Sequence, residues 1–191
     1  MKHAALACAL FACGGDDAMM TGGPDAGSMG SGDGSVVTDD SGNICTKPAL
    51  DQPWLADLVS GAVSSLAAAP RANSEQRQAA RTYLQSQLTQ IGWTPLLHNY
   101  NTGANVYATI PATSGATKQI IVGAHFDTVS ISPGANDNGT GSAAVLAVAR
   151  YLKDVTCRKY AVTIVFFDEE EAGLFGARAF ANTLQLANVQ A

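Results

Sequence analysis

Two short apolar runs with one helix-length segment between them constrain the fold of this chain more than any other feature. Ile120-Ile121-Val122 is the centre of the first run, Gln119 to Ala124, and Val162-Thr163-Ile164-Val165-Phe166-Phe167 forms most of the second, Ala161 to Phe167. Both are too short for an ordinary helix and rich in β-branched or aromatic residues, so both read as strands. Runs this short and apolar are typical of strands buried on both faces of a sheet. Between them, Gly139 to Asp154 is apolar on most sides, which predicts a helix packed on that sheet. Strand, helix, strand in this order is a βαβ unit, whose two strands run parallel. The fold class expected is therefore α/β. With 191 residues, 47% of them apolar, the chain can bury the core of one domain.

The flanking segments fit such a sheet. Trp54, Leu55, Leu58, Val59, Ala62, Val63 and Leu66 recur at helical spacing, and Pro70 closes that helix. Asn73 followed three residues later by Gln76 is a capping-box pattern. It predicts a second helix running to about Ile91, with Gly92 as its C′ residue. Trp93 to Tyr100 and Asn105 to Pro111 read as strands joined by a turn at 112–118 to the first apolar run, and Phe175 to about Leu186 as a last helix.

The N-terminus has a different character. Met1-Lys2-His3 is a basic start, Ala4 to Ala12 is apolar, and a small residue precedes Cys13. This has the shape of a bacterial lipoprotein export signal spanning 1–13, with a lipid anchor at Cys13. Residues 14–48 are expected to be a tether. Up to residue 43 they are Gly, Asp, Ser, Met and Thr with almost no large apolar groups, too few to order a segment. The folded domain is then 49–191, and the protein is exported, as a membrane-anchored lipoprotein or a periplasmic or secreted form. No run approaches the roughly 20 apolar residues of a bilayer span. A net charge of −5 argues against nucleic acid as a partner and supplies no polybasic patch. Oligomeric state is not encoded in any pattern visible here. Cys45 and Cys157 would then be the only pair left in the mature chain, either disulfide-bonded or free.

Chemistry-bearing residues gather where the strands end, which is where open α/β sheets place their sites. His125 and Asp127 follow the first apolar run. Asp168-Glu169-Glu170-Glu171 follows the second, and the loop Pro133 to Gly141, carrying Asp137, precedes the intervening helix. Adjacent carboxylates beside a buried strand repel one another and are costly to desolvate, which a cation would relieve. Neutral imidazole with carboxylates suits zinc, with manganese or cobalt as substitutes.

These motifs also carry a family resemblance. Gly123-Ala124-His125-Phe126-Asp127, then Pro133-Gly134-Ala135-Asn136-Asp137-Asn138-Gly139-Thr140-Gly141, then Phe167-Asp168-Glu169-Glu170-Glu171-Ala172-Gly173-Leu174-Phe175-Gly176 resemble metallopeptidase family twenty-eight, the co-catalytic di-zinc aminopeptidases. The prelude Gln78-Ala79-Ala80-Arg81-Thr82-Tyr83-Leu84 and the segment Asn105-Val106-Tyr107-Ala108-Thr109 fit as well. The resemblance implies a three-layer α/β/α sandwich with a mixed, largely parallel sheet. It implies that His125 binds one of two zinc ions, that Asp127 orients it, that Asp137 bridges both ions, and that the Asp137–Asn138 peptide is cis. Glu170 is then the general base, and Glu171 a ligand of the second zinc. Peptides with free amino termini are the implied substrates. Asp168 and Glu169 fall outside the pattern and are expected as turn or surface acids, and His98 as a surface histidine. The family also uses a further Asp and a later His that fall beyond Ala191. The chain is accordingly expected to be the N-terminal part of a longer enzyme, truncated at its C-terminus, inactive alone and with an uncovered sheet edge. Two other readings stand beside this one: a single-zinc glutaminyl cyclase of the same fold, and a non-catalytic lipoprotein module.

Overall fold

The computed structural model of the protein describes residues 37–38, 44–185 and 188–190. The expected signal and most of the expected tether, up to residue 43, therefore lie outside the described residues, apart from one short strand. The elements are β1 (Val37–Thr38), β2 (Ile44–Cys45), α1 (Trp54–Leu66), α2 (Ser74–Ile91), β3 (Leu96–Asn99), β4 (Ala104–Ile110), β5 (Gln119–His125), α3 (Gly141–Lys153), β6 (Ala161–Phe167) and α4 (Phe175–Ala181).

α2 begins where its capping box directs. The Asn73 side chain accepts from the Gln76 amide at 2.9 Å, and the Gln76 side chain accepts from the Asn73 amide at 3.1 Å. It ends at Gly92, whose φ of 98° is the left-handed turn that glycine adopts without a Cβ penalty. Its apolar stripe, Ala80, Leu84 and Leu88, is buried against the sheet beside Ala62 and Leu66 of α1 and Ala143, Leu146 and Ala149 of α3.

The main sheet has the order β3-β4-β6-β5. β5 and β6 are parallel from Gln119↔Ala161 to His125↔Phe167, as the βαβ pattern requires. β4 runs antiparallel to β6, and β3 antiparallel to β4, so the sheet is mixed. Val106, Ala108, Val162, Ile164 and Phe166 turn one face toward α1, α2 and α3. On the other face, Phe180 of α4 meets Tyr107 and Phe167 edge-on, with ring centroids 5.7 and 6.0 Å apart. Helices on both faces make the three-layer α/β/α arrangement.

Three expectations change. β5 is not buried on both faces: most of it is half-buried, Ile120 is 38% exposed, and among the described strands it lies at the sheet edge. Its apolar run reflects α3 on one face and β6 alongside. α4 ends at Ala181, short of Leu186, where the backbone passes to tighter three-residue turns, the Thr183 amide donating to Phe180 O at 3.0 Å and the Leu184 amide to Ala181 O at 3.1 Å. His98 is half-buried in β3, 3.1 Å from the Asn105 side chain and edge-on to Phe180.

Cys45 and Cys157 form a disulfide across 112 residues of sequence. Beside it, the Thr46 amide donates to Thr156 Oγ1 at 2.8 Å, and Tyr151 donates to the Pro48 carbonyl at 3.0 Å. Residues 45–48, at the end of the expected tether, are thereby fixed to the connection between α3 and β6.

Candidate functional site

The parallel pairing of β5 with β6 puts both polar clusters at one sheet edge. His125 is the last residue of β5 and 6% exposed. The Ser142 hydroxyl donates to its carbonyl at 3.0 Å, and the Phe126 amide extends the ladder to Phe167 O at 2.9 Å. Asp127, 3% exposed, then turns its carboxylate inward. Its Oδ1 accepts from the Glu170 amide and its Oδ2 from the Glu171 amide, each at 3.0 Å. The same Oδ1 lies 3.5 Å from His125 Nδ1, too far for a well-formed hydrogen bond in this state. One carboxylate thus fixes the backbone of the acid run beside the imidazole ring.

Asp137 reaches the ring from the other side, with Oδ1 3.1 Å from His125 Nε2, and Glu170 Oε2 is 3.9 Å from the same nitrogen. The Asp137–Asn138 peptide is cis, as the resemblance implies. Around it, the Gly139 amide donates to Gly134 O at 2.9 Å, and the Gly141 amide to Asn138 Oδ1 at 3.0 Å. The Asp137 side chain is 73% exposed, so an incoming group can reach it.

The electrostatics agree with this geometry. Burial pulls the His125 pKa down, but the adjacent Asp127 carboxylate and the fields of Glu170 and Asp137 outweigh it and hold the imidazole above its ordinary value. Partial burial and the nearby Asp137 and Glu170 push the Glu171 carboxyl up, against a pull from His125. Carboxylates that push up both a neighbouring glutamate and a histidine mark a site with surplus negative potential.

The donor set fits zinc in its chemistry. A separation of 3.1 Å between Nε2 and Oδ1 is close to the ligand–ligand edge of about 3.3 Å in a tetrahedral shell with bonds of roughly 2.0–2.1 Å. His125, Asp127, Asp137 and Glu170 are brought together, and the Glu171 carboxylate stays exposed. Among the described residues, no group of three or more His, Cys, Asp or Glu already has metal-holding geometry.

Asp168 and Glu169 are not surface acids. Asp168 is fully buried and Glu169 is 8% exposed. Arg77 Nε lies 2.9 Å from Asp168 Oδ1, and Arg81 Nη1 2.5 Å from Asp168 Oδ2. Arg77 Nη2 reaches Glu169 Oε1 at 2.9 Å, and the Thr102 hydroxyl donates to Glu169 Oε2. The Ala104 amide donates to Asp168 Oδ2 at 3.2 Å, and Asn105 Oδ1 accepts from the Asp168 amide at 2.9 Å. The acid run is therefore split: its first half is neutralised inward by α2, and its second half faces the histidine. Arg77, Arg81 and Asn105 escaped the sequence reading as site residues. The available signal was two arginines at i and i+4, a spacing that puts both on one face of α2.

Residues 105–191 match the sequence profile described as Peptidase family M28. A probable lipoprotein aminopeptidase, LpqL, of Mycobacterium tuberculosis is 39% identical over 74 residues, covering 39% of this chain and 15% of the relative. Among solved structures, the Legionella pneumophila LapA aminopeptidase superposes with a TM-score of 0.62 at 20% identity, over 69% of this chain and 39% of that one. A Porphyromonas gingivalis glutaminyl cyclase superposes with a TM-score of 0.59 at 24% identity, over 69% and 54%. Both structures show the fold alone. The chain spans about one-sixth of the length of the curated relatives it matches.

Proposed function

We propose, on the premise that residues 105–191 belong to peptidase family M28, that this chain carries part of the active site of a zinc-dependent aminopeptidase acting on peptides with free amino termini. The observation that carries the reading is Asp137 Oδ1 at 3.1 Å from His125 Nε2, with Asp127 holding the amides of both Glu170 and Glu171. His125 and Asp137 would hold one ion, and Asp137 with Glu171 a second. Asp127, whose Oδ1 lies 3.5 Å from Nδ1, is the carboxylate that would orient the imidazole with a metal bound. Bound zinc would polarise the scissile carbonyl and acidify water. Glu170 is the general base: its carboxylate takes a proton from the attacking water and delivers it to the leaving amine. That role requires Glu170 not to be a ligand, which is why the two adjacent glutamates differ in function.

Three protein ligands, His125, Asp137 and Glu171, shared between two ions are fewer than a catalytic zinc site normally has. The 191 residues by themselves should therefore bind zinc weakly and hydrolyse little. Export as a lipoprotein through Cys13 is supported by the relative named as a probable lipoprotein and by the disulfide, which favours an oxidising compartment.

Calorimetric zinc titration tests the assignment without relying on turnover. His125→Ala and Asp137→Asn should each weaken binding by about tenfold or more, Glu171→Gln should remove the weaker component, and Glu170→Gln should leave binding intact. Zinc bound equally well by His125→Ala would end the metal reading, and loss of binding in Glu170→Gln would exchange the two glutamate roles. Chelator-sensitive hydrolysis of leucine p-nitroanilide by the 191-residue chain would overturn the expected inactivity. Ammonia release from an N-terminal Gln peptide, without hydrolysis, would favour the glutaminyl cyclase reading.

A further inference from the structure

Arg71 lies between α1 and α2 and is 3% exposed. A guanidinium at that depth ordinarily faces a carboxylate, because a buried unpaired charge is costly. Among the described residues none forms an ion pair with it. Backbone carbonyls take its donors instead. Nε donates to Phe126 O at 2.5 Å, Nη1 to Pro133 O at 2.7 Å and to Leu66 O, and Nη2 to Gly134 O at 3.0 Å. The Arg71 main chain is tied to the same region: its amide donates to Thr128 Oγ1 at 2.8 Å, and its carbonyl accepts from the Thr128 amide at 3.3 Å.

The four carbonyls come from three segments. Leu66 ends α1. Phe126 stands between His125 and Asp127. Pro133 and Gly134 begin the loop that carries Asp137, and Gly134 O also accepts from the Gly139 amide. The packing has no room to spare: Gly134 has φ 61°, and a Cβ there would lie 2.8 Å from Arg71 Nη2 and 2.1 Å from Thr128 Cγ2.

We propose that Arg71 is the positioning residue of this site, its guanidinium setting the distance between the His125–Asp127 segment and the Asp137 turn. It touches neither His125 nor Asp137; it acts through the carbonyls beside them. Lysine cannot replace it, because three donors on a compact ammonium do not span carbonyls on three segments as a five-donor planar fork does. The proposal takes the identity of the site from the reading above, but the loop-holding role is measurable without metal.

The test is amide hydrogen exchange by NMR on the 191-residue chain and its Arg71→Lys and Arg71→Gln variants. The Thr128 and Gly139 amides should lose about tenfold or more of their protection, the worth of a hydrogen bond to a charged group, while the β4–β6 ladder stays within about twofold. Zinc affinity should fall in parallel. Unchanged protection at Thr128 and Gly139 in a folded variant would overturn the proposal, as would a uniform loss across the sheet, which would mark Arg71 as merely structural. If neither variant folds, the wild-type chain decides: the Arg71 Nε–H should exchange as slowly as the Gly139 amide, and exchange at the rate of a solvent-exposed arginine would refute the clamp. A wild-type chain that binds no zinc would fail the functional reading alone, leaving the exchange data to decide on Arg71.

Discussion

Asp168 shows how an acid next to the candidate site can do structural work instead. Fully buried, it accepts from the Arg81 guanidinium and from two amides, lies 2.9 Å from Arg77 Nε in an ion pair, and has its own amide held by Asn105. Burial pushes its carboxyl up, and the Ala104 amide with Arg77 and Arg81 pulls it back. Removing one partner from such a network strands the others without compensation. Asp168→Ala should therefore lose about 3–5 kcal/mol in urea denaturation. His125, Asp127 and Glu170 come together because each sits at or just beyond a strand end, and Asp137 joins them because its loop leads into α3 at the same edge. Asp168 and Glu169 were misread because a run of acids looks solvated until its counter-charges are found. Those counter-charges, Arg77 and Arg81, lie about ninety positions earlier. Arg71 left no sequence signal at all, since its partners are main-chain oxygens, which every residue has.

At the scale of elements, local signals predicted local structure well. The Asn73 and Gln76 capping box is present in full, and Asn73→Ala should cost about 1 kcal/mol, measurable as a shift in the thermal or urea midpoint. Both strands of the βαβ unit lie where their apolar runs placed them, with β6 spanning Ala161–Phe167 and β5 reaching one residue further, to His125. What periodicity could not supply was the neighbour. β5 reads as a central strand because its residues are apolar, yet among the described strands it has β6 on one side and, on the other, only a bridge from Gln119 to Val189. α4 reads as long because its residues tolerate a helix, yet the backbone tightens into three-residue turns after Ala181.

At the scale of the molecule, the disulfide is the longest-range covalent tie. Cysteine spacing left its formation open, because pairing depends on two connections meeting at the end of the sheet remote from the site. Closing a loop of 112 residues should stabilise the fold by restricting the unfolded chain. Reduction, or the double variant Cys45→Ala, Cys157→Ala, should cost about 2–5 kcal/mol in urea denaturation, with the wild-type chain in the absence of reductant as the reference. The bond also has a mechanical meaning. Tension applied to the chain ahead of Cys45 passes through sulfur to Cys157 and enters the body of the domain at the α3–β6 connection. α1, which follows Cys45 in sequence, lies outside that load path, as does Arg71 beyond it. Pulling on the N-terminus would therefore leave the clamp at the opposite end of the sheet unstressed for as long as the sulfurs stay joined, and reduction would turn α1 into the first element to bear the force.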